Sequence, residues 1–298
     1  MLPRKLYDLP LADGRKLRLG TRTLVMGIIN VTPDSFADGG AHFDPERVLD
    51  EALALEEAGA DLLDVGGEST RPGAKPLPVD EECGRVLPVL DRLVSRVHVP
   101  ISVDTYKAEV AREAVVRGAA MINDVSSLRY DLDLARVVAA AGVPLVLMHN
   151  RGRSEEMYRR ANYADVIREI TSELAVTIDR ALTAGVAREQ IIVDPGLGFS
   201  KRAAETFTAL AKLDALASLK RPVLVGPSRK SFLQDSIGQR PPNEREWGTA
   251  AAVTAAVLLG AHVVRVHGVR EMVEVVRVAD RLRAERDTTP VVMESTKH

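Results

Sequence analysis

A single cysteine, Cys83, in 298 residues excludes an internal disulfide framework and points to a reducing, cytoplasmic setting. Aromatic residues are scarce at 4%, so the 46% hydrophobic content must build its core mainly from aliphatic side chains. No apolar run is long enough to span a bilayer; the most apolar helical stretch, about Thr249 to Gly260, is short and leads into a segment containing His262. The opening MLPRKLYDLPLADGRKLRLG has no continuous apolar stretch of signal-peptide type. Acidic and basic residues nearly cancel, 42 against 40, which excludes a global attraction to nucleic acid or anionic membranes. Arg151, Arg153, Arg159 and Arg160 cluster, and the expectation for them is a solvated loop and helix face. No fixed-period repeat or low-complexity tract is present.

What the chain does have is a series of short aliphatic runs alternating with helical segments. The runs are LVMGII (24–29), ADLLDV (60–65), VPISV (99–103), AAMIN (119–123), VPLVLM (143–148), QIIVD (190–194), RPVLVG (221–226) and AHVVRV (261–266). Continuous aliphatic runs suit parallel strands buried on both faces. Eight of them alternating with helices predict an α/β (β/α)₈ TIM barrel, one domain over residues 1–298. Asp13-Gly14 between short apolar segments predicts a hairpin within residues 1–20 that closes one end of the barrel. Asp44-Pro45 starts one helix, Asp80 can cap the next, and residues 162–185 carry Val166, Ile170, Leu174, Ile178 and Leu182 on one face. Residues 287–298 lack periodicity and are expected to form a flexible tail.

Unusual polar residues follow almost every run: Asn30, Glu68 to Arg71, Asp104, Asn123, His149, Asp194, Lys230, and Arg265 with His267. In a barrel these positions converge on the C-terminal mouth, where βα loops build active sites. The loops NVTPDSFADGG (30–40) and GGESTRPGAKPLP (66–78) are longer than usual βα connections, and the second presents Arg71 rigidly beside Pro72. An arginine held this way suits an anion. Asp194 opens DPGLGF, whose glycines allow close backbone approach to a ligand. Arg265 and His267, two apart on one strand, point the same way, and a core arginine requires a partner. Asp104 has a helix-capping alternative, and Lys230 is either a donor or a Schiff-base lysine.

In combination, NVTPDSFADGG, DVGGESTRPGA (64–74), SVDTYK (102–107), INDVS (122–126), LMH (147–149), DPGLGF (194–199), SRKSF (228–232) and RVH (265–267) resemble the dihydropteroate synthase family in content and order, across about 240 residues. The resemblance implies condensation of 6-hydroxymethyl-7,8-dihydropterin pyrophosphate with p-aminobenzoate, giving 7,8-dihydropteroate and pyrophosphate in folate synthesis. It implies a pterin pocket of Asp194, Asn123 and Lys230, with Asp104 beside the reacting methylene. Arg265, His267 and Asn30 with Mg²⁺ would hold the diphosphate, and Asp34 would act through metal-bound water. Thr70, Arg71, Pro72 and Ser231 would take p-aminobenzoate between Phe36 and Phe199. The family is a sulfonamide target and usually homodimeric. Two residues depart from its pattern: Gly268 stands where Asp usually follows RVH, and Asn150 where Met often follows LMH.

Three other readings use some of these residues. A methyltetrahydrofolate-binding methyltransferase shares the barrel and its Asp and Asn, but does not need STRPGA or SRKSF. A Schiff-base aldolase would use Lys230 as nucleophile. A noncatalytic pterin-binding paralogue would keep Asp194 and Asn123 and tend to lose the two loops.

Overall fold

The computed structural model describes residues 4–32 and 45–288. Strands β1 (Tyr7–Pro10) and β2 (Lys16–Leu19) form an antiparallel hairpin. Eight parallel strands follow: β3 (Leu24–Asn30), β4 (Leu62–Gly66), β5 (Ile101–Asp104), β6 (Met121–Asp124), β7 (Leu145–Met148), β8 (Ile191–Asp194), β9 (Leu224–Val225) and β10 (Val263–Val266). Their order is β8-β7-β6-β5-β4-β3-β10-β9, and a parallel bridge between Val193 and Val223 joins the two ends into a barrel. Each aliphatic run of the sequence contains one strand. Helices α1 (Pro45–Glu57), α2 (Val79–Leu93), α3 (Ala108–Val116), α4 (Leu134–Ala141), α5 (Val166–Thr183), α6 (Ala203–Ala211), the single turn α7 (Gln234–Ile237), α8 (Glu246–Leu258) and α9 (Val269–Thr288) complete the (β/α)₈ arrangement.

The interior is layered by the two-residue period of the strands. Met26, Leu62, Met121, Val146, Ile192, Leu224 and Val263 form one buried cluster with Leu9 and Leu19 of the hairpin. The hairpin therefore seats its two leucines against one apolar layer of the barrel. Two residues further along the same strands stand Asp64, Asn123, Asp194 and Arg265, so the polar layer rests directly on an aliphatic floor.

Local expectations fare unevenly. Helix α5 buries Val166, Ile170, Leu174 and Ile178, each contributing roughly 1.5–3 kcal/mol by burial, and Asp165 caps it by accepting from the Arg168 N–H at 3.2 Å. Asp80, by contrast, is not a cap: α2 starts one residue earlier, after Pro78, and Asp80 lies in its first turn. Arg151 is not simply solvated either. Its guanidinium pairs with Glu169 at 2.6 Å and with Glu173, and lies 3.9 Å from the Tyr163 ring centroid. Helix α9 extends to Thr288, and the rest of the anticipated tail falls outside the described residues, as do Asp34 and Phe36.

Candidate active site

The polar layer is organised around Arg265. Its Nε donates to Asp64 Oδ2 at 2.5 Å and its Nη2 to Asp104 Oδ2 at 3.0 Å. Asn123 Nδ2 also donates to Asp64 Oδ2, at 2.9 Å. Because a carboxylate only accepts, Asn123 must turn its NH₂ this way, which leaves its carbonyl oxygen for another donor. Burial pushes the Asp104 carboxyl up to about 8, with Asp64 adding to the shift and Arg265 opposing it. Asp104 is thus a partner of arginine and no helix cap. Asp64 was missed from the sequence, although its place two residues after Leu62 on the same strand face was a usable signal.

Across the layer, Asp194 Oδ1 accepts from the Gly196 N–H at 2.6 Å, and burial raises its carboxyl even with Lys230 nearby. Lys230 Nζ donates to the Leu197 carbonyl at 2.5 Å and sits 4.4 Å from the Phe199 ring centroid. Burial lowers Lys230 to about 8, opposed by Asp194. The glycines of DPGLGF also serve packing within the protein. A Cβ at Gly196, where φ is +65°, would fall 2.1 Å from the His149 carbonyl oxygen, and one at Gly198 would meet Lys230 Cδ at 3.3 Å. The same loop is pinned from behind by Lys201, whose buried Nζ donates to the Gly196 and Phe199 carbonyls, both at 3.0 Å, and approaches His149 Nδ1 at 2.8 Å. Sequence inspection gave Lys201 no role.

Toward the end of β10, Ser228 Oγ accepts the His267 backbone N–H at 3.1 Å and lies 2.9 Å from His267 Nδ1. Nδ1 is thus engaged by the serine, which leaves Nε2 as the ring nitrogen available to a ligand. Burial lowers His267 to about 3, and Arg229, Arg265, Arg71 and Lys230 lower it further in that order. Four cations therefore bear on one imidazole, a surrounding suited to an anion. The next residue in SRKSF, Arg229, has φ +58° and is held there by Thr249 Oγ1, which accepts its N–H at 3.0 Å, and by Arg245, which donates to its carbonyl at 2.8 Å. This turn sends Lys230 into the barrel. Gly268 precedes α9 directly, so helix entry survives its departure from the family pattern.

Arg71 and Pro72 are exposed on the loop after β4, and Ser231 is exposed after β9. The base of the β4 loop is fixed by Glu68, which accepts from the Leu77 N–H at 2.9 Å, Tyr106 Oη at 2.9 Å and Lys107 Nζ at 2.6 Å. Thr70 and Phe199 line one narrow cleft with Tyr106, Tyr130 and Arg153. Among the described residues no group of three His, Cys, Asp or Glu side chains could hold a metal. Asn30, at the end of β3, contributes one amide oxygen, which fits a Mg²⁺ ion that draws its other ligands from substrate oxygens and water.

Comparison with known proteins bears on this geometry. The profile of a family described as pterin binding enzyme matches residues 26–267. The chain is 43% identical to dihydropteroate synthase of Synechocystis, over 92% of this chain and 95% of that one, and 43% identical to the Bacillus subtilis enzyme, over 88% and 89%. The chain belongs to the dihydropteroate synthases. Members of that family are transferases of folate synthesis. Solved structures agree: Xanthomonas albilineans dihydropteroate synthase with 4-aminobenzoic acid superposes with a TM-score of 0.87 at 43% identity, covering 96% of this chain and 100% of that chain. The same enzyme with 7,8-dihydropteroate gives 0.82 at 40% identity, covering 94% and 100%. For the dihydropteroate synthase fold, then, the mouth of the barrel is where Asp64, Asp104, Asn123, Asp194, Lys230 and Arg265 meet.

Proposed function

We propose that this chain condenses 6-hydroxymethyl-7,8-dihydropterin diphosphate with p-aminobenzoate to give 7,8-dihydropteroate and pyrophosphate. The observation that carries the reading is one polar layer in which oriented acceptors, Asp194 and Asn123, face a cationic end formed by Arg265, Lys230 and the surroundings of His267. The pterin edge offers an amine beside a ring N–H. Asp194, oriented by Gly196, accepts both; Asn123 presents its carbonyl; Lys230 donates to the pterin carbonyl and neighbouring nitrogen.

At the other end the diphosphate lies among Arg265, Nε2 of His267 and Asn30. Mg²⁺ bound there with Asn30 would neutralise charge on the leaving group. Carbon–oxygen cleavage leaves positive charge on the methylene, and pyrophosphate takes the electron pair. The Asp104 carboxyl, raised by burial in the free protein, would be favoured in its ionised form by the positive charge developing beside it, and in this poorly solvated position that carboxylate stabilises the cation more than it would in water. The arylamine nitrogen, held through Thr70, Arg71, Pro72 and Ser231 against Phe199, forms the new carbon–nitrogen bond and then loses a proton.

A homodimer belongs to the same reading. Trp247 is 87% exposed at the start of α8, and Val278 and Leu282 are 62% and 52% exposed, one turn apart on α9, which packs beside it. Apolar side chains grouped on adjacent outer helices favour a second copy. A lone free cysteine, Cys83, supports a cytoplasmic location. Methyl transfer and pterin storage are disfavoured by the identity to dihydropteroate synthases over nearly the whole chain, which includes STRPGA and SRKSF. Purified protein should release pyrophosphate only with both substrates and Mg²⁺ present; release independent of p-aminobenzoate would overturn the reading.

A further inference from the structure

We infer that Glu246 is a positioning residue that holds the Arg229 guanidinium at the diphosphate end of the site, and that position 268 is glycine because the Glu246 carboxylate occupies the space a side chain would fill. The inference rests on reading that end as a diphosphate site. Arg229 Nε donates to Glu246 Oε2 at 2.9 Å, with the two side chains 31% and 22% exposed. The other oxygen, Oε1, is buried and has no hydrogen-bond partner among the described residues. A Cβ built on Gly268 would fall 2.0 Å from that oxygen and 3.1 Å from Glu271 Oε2. Gly268 does not have the positive φ that calls for glycine, so what a side chain there meets is space: it would have to move the Glu246 carboxylate aside.

The placement links three elements. Glu246 opens α8, Arg229 sits on the turn after β9, and Gly268 joins β10 to α9 immediately after His267. Arg229 already has its backbone held in the left-handed region by Thr249 and Arg245, and Glu246 fixes the remaining freedom of its long side chain. A guanidinium held in place before the anion arrives loses less conformational entropy on binding. Glu271 contributes a second carboxylate nearby, and the first turn of α9 favours both negative charges. The Glu246 side chain thereby occupies space next to the backbone of the residue after His267.

The sign of the effect separates positioning from simple charge. If Glu246 acted only through its field, removing it would leave the site more positive and tighten anion binding. If it positions Arg229, Glu246→Leu should weaken inorganic pyrophosphate, measured calorimetrically with Mg²⁺, by about fivefold, with Glu246→Gln in between because its amide oxygen still accepts from Arg229. Gly268→Ala should displace the carboxylate and weaken pyrophosphate similarly, and Glu246→Leu/Gly268→Ala should be no worse than either single change. Affinity for 6-hydroxymethylpterin without the diphosphate should stay constant in every variant, which reports an intact fold and pterin pocket. Unchanged or tighter pyrophosphate binding in Glu246→Leu, or additive effects of the two substitutions, would overturn the inference while leaving the diphosphate reading in place. Failure of the wild type to bind pyrophosphate would overturn both.

Discussion

Asp64 Oδ2 lies 2.5 Å from Arg265 Nε, and this buried pair is the hinge of the polar layer because the same oxygen also receives Asn123. On the proposed reading Arg265 takes the diphosphate and Asn123 the pterin, so this one carboxylate would act on both ends of one substrate. Asp64→Asn keeps an amide oxygen for both donors but removes the negative charge that faces the Arg265 guanidinium and buries an NH₂ where the unpartnered Oδ1 stood, at a cost of about 1–3 kcal/mol. Urea unfolding should show that loss, and affinity for the pterin diphosphate should fall with it. If stability and affinity both stay at wild-type values, Asp64 does not organise the layer.

Asp194→Asn should weaken pterin binding by roughly 1–3 kcal/mol while the protein stays folded, because a substrate N–H would then meet an N–H. The Gly196 contact survives through the remaining oxygen, so the loop keeps its anchor. Calorimetric affinity for the pterin within about twofold of wild type would count against Asp194 as the pterin acceptor.

How far these roles could be read beforehand depends on what kind of signal each residue leaves. Strand runs were legible because burial on both faces makes them uniformly aliphatic, and Asp104, Asn123, Asp194 and Arg265 were legible as polar breaks at their ends. Asp64 was hidden inside the run ADLLDV, where only strict alternation from Leu62 reveals that it faces inward. Lys201 and Glu246 were illegible for a different reason. Lys201 donates to Gly196 and Phe199 close by, but its contact with His149, like those of Glu246 with Arg229 and Gly268, joins separate parts of the chain that only folding brings together. For the DPGLGF glycines the sequence shows that backbone can approach a ligand closely, but the His149 carbonyl that a Cβ at Gly196 would strike comes from the β7 loop, and only the fold reveals it.

His262 gives a pH dependence at the opposite end of the barrel. The Val223 N–H donates to its Nδ1 at 3.1 Å, so Nε2–H faces the Lys5 carbonyl at 3.0 Å and the neutral ring is fully satisfied. Burial lowers it from the ordinary 6.5 to about 4. Below pH 6.5 the unfolded chain takes up a proton that the folded one refuses, so the stabilisation is complete above 6.5 and is lost as pH falls toward 4. The stability difference between wild type and His262→Gln should therefore shrink across that window by at most about 1.4 kcal/mol per pH unit. A difference that stays flat from pH 7 to pH 4 would refute the assignment.

Trp247→Glu together with Leu282→Glu should convert a homodimer into a monomer without loss of secondary structure, since both side chains are more than half exposed among the described residues. Light scattering at micromolar concentration checks this. A wild type that already runs as a monomer would remove the homodimer from the reading.

The last expectation is ordered binding, and it follows from the contrast in burial between the two halves of the site. Asn123 and Asp194 are buried and tied into place, whereas Arg71 and Pro72 are exposed and Ser231 lies on a solvent-facing turn. On the proposed reading the pterin end is thus organised in the free protein, while among the described residues nothing holds Arg71 inward at the arylamine end. Pyrophosphate with Mg²⁺ near His267 supplies a charge toward which Arg71 is drawn, since Arg71 already bears on that imidazole. p-Aminobenzoate should therefore bind free enzyme weakly and bind at least about tenfold more tightly once pterin and pyrophosphate are present, a coupling of roughly 1.4 kcal/mol. By linkage, p-aminobenzoate must tighten pyrophosphate by the same factor, so the two titrations check each other. Equal p-aminobenzoate affinity with and without those ligands would show that the arylamine pocket is already formed, and that Arg71 needs no bound anion to reach it.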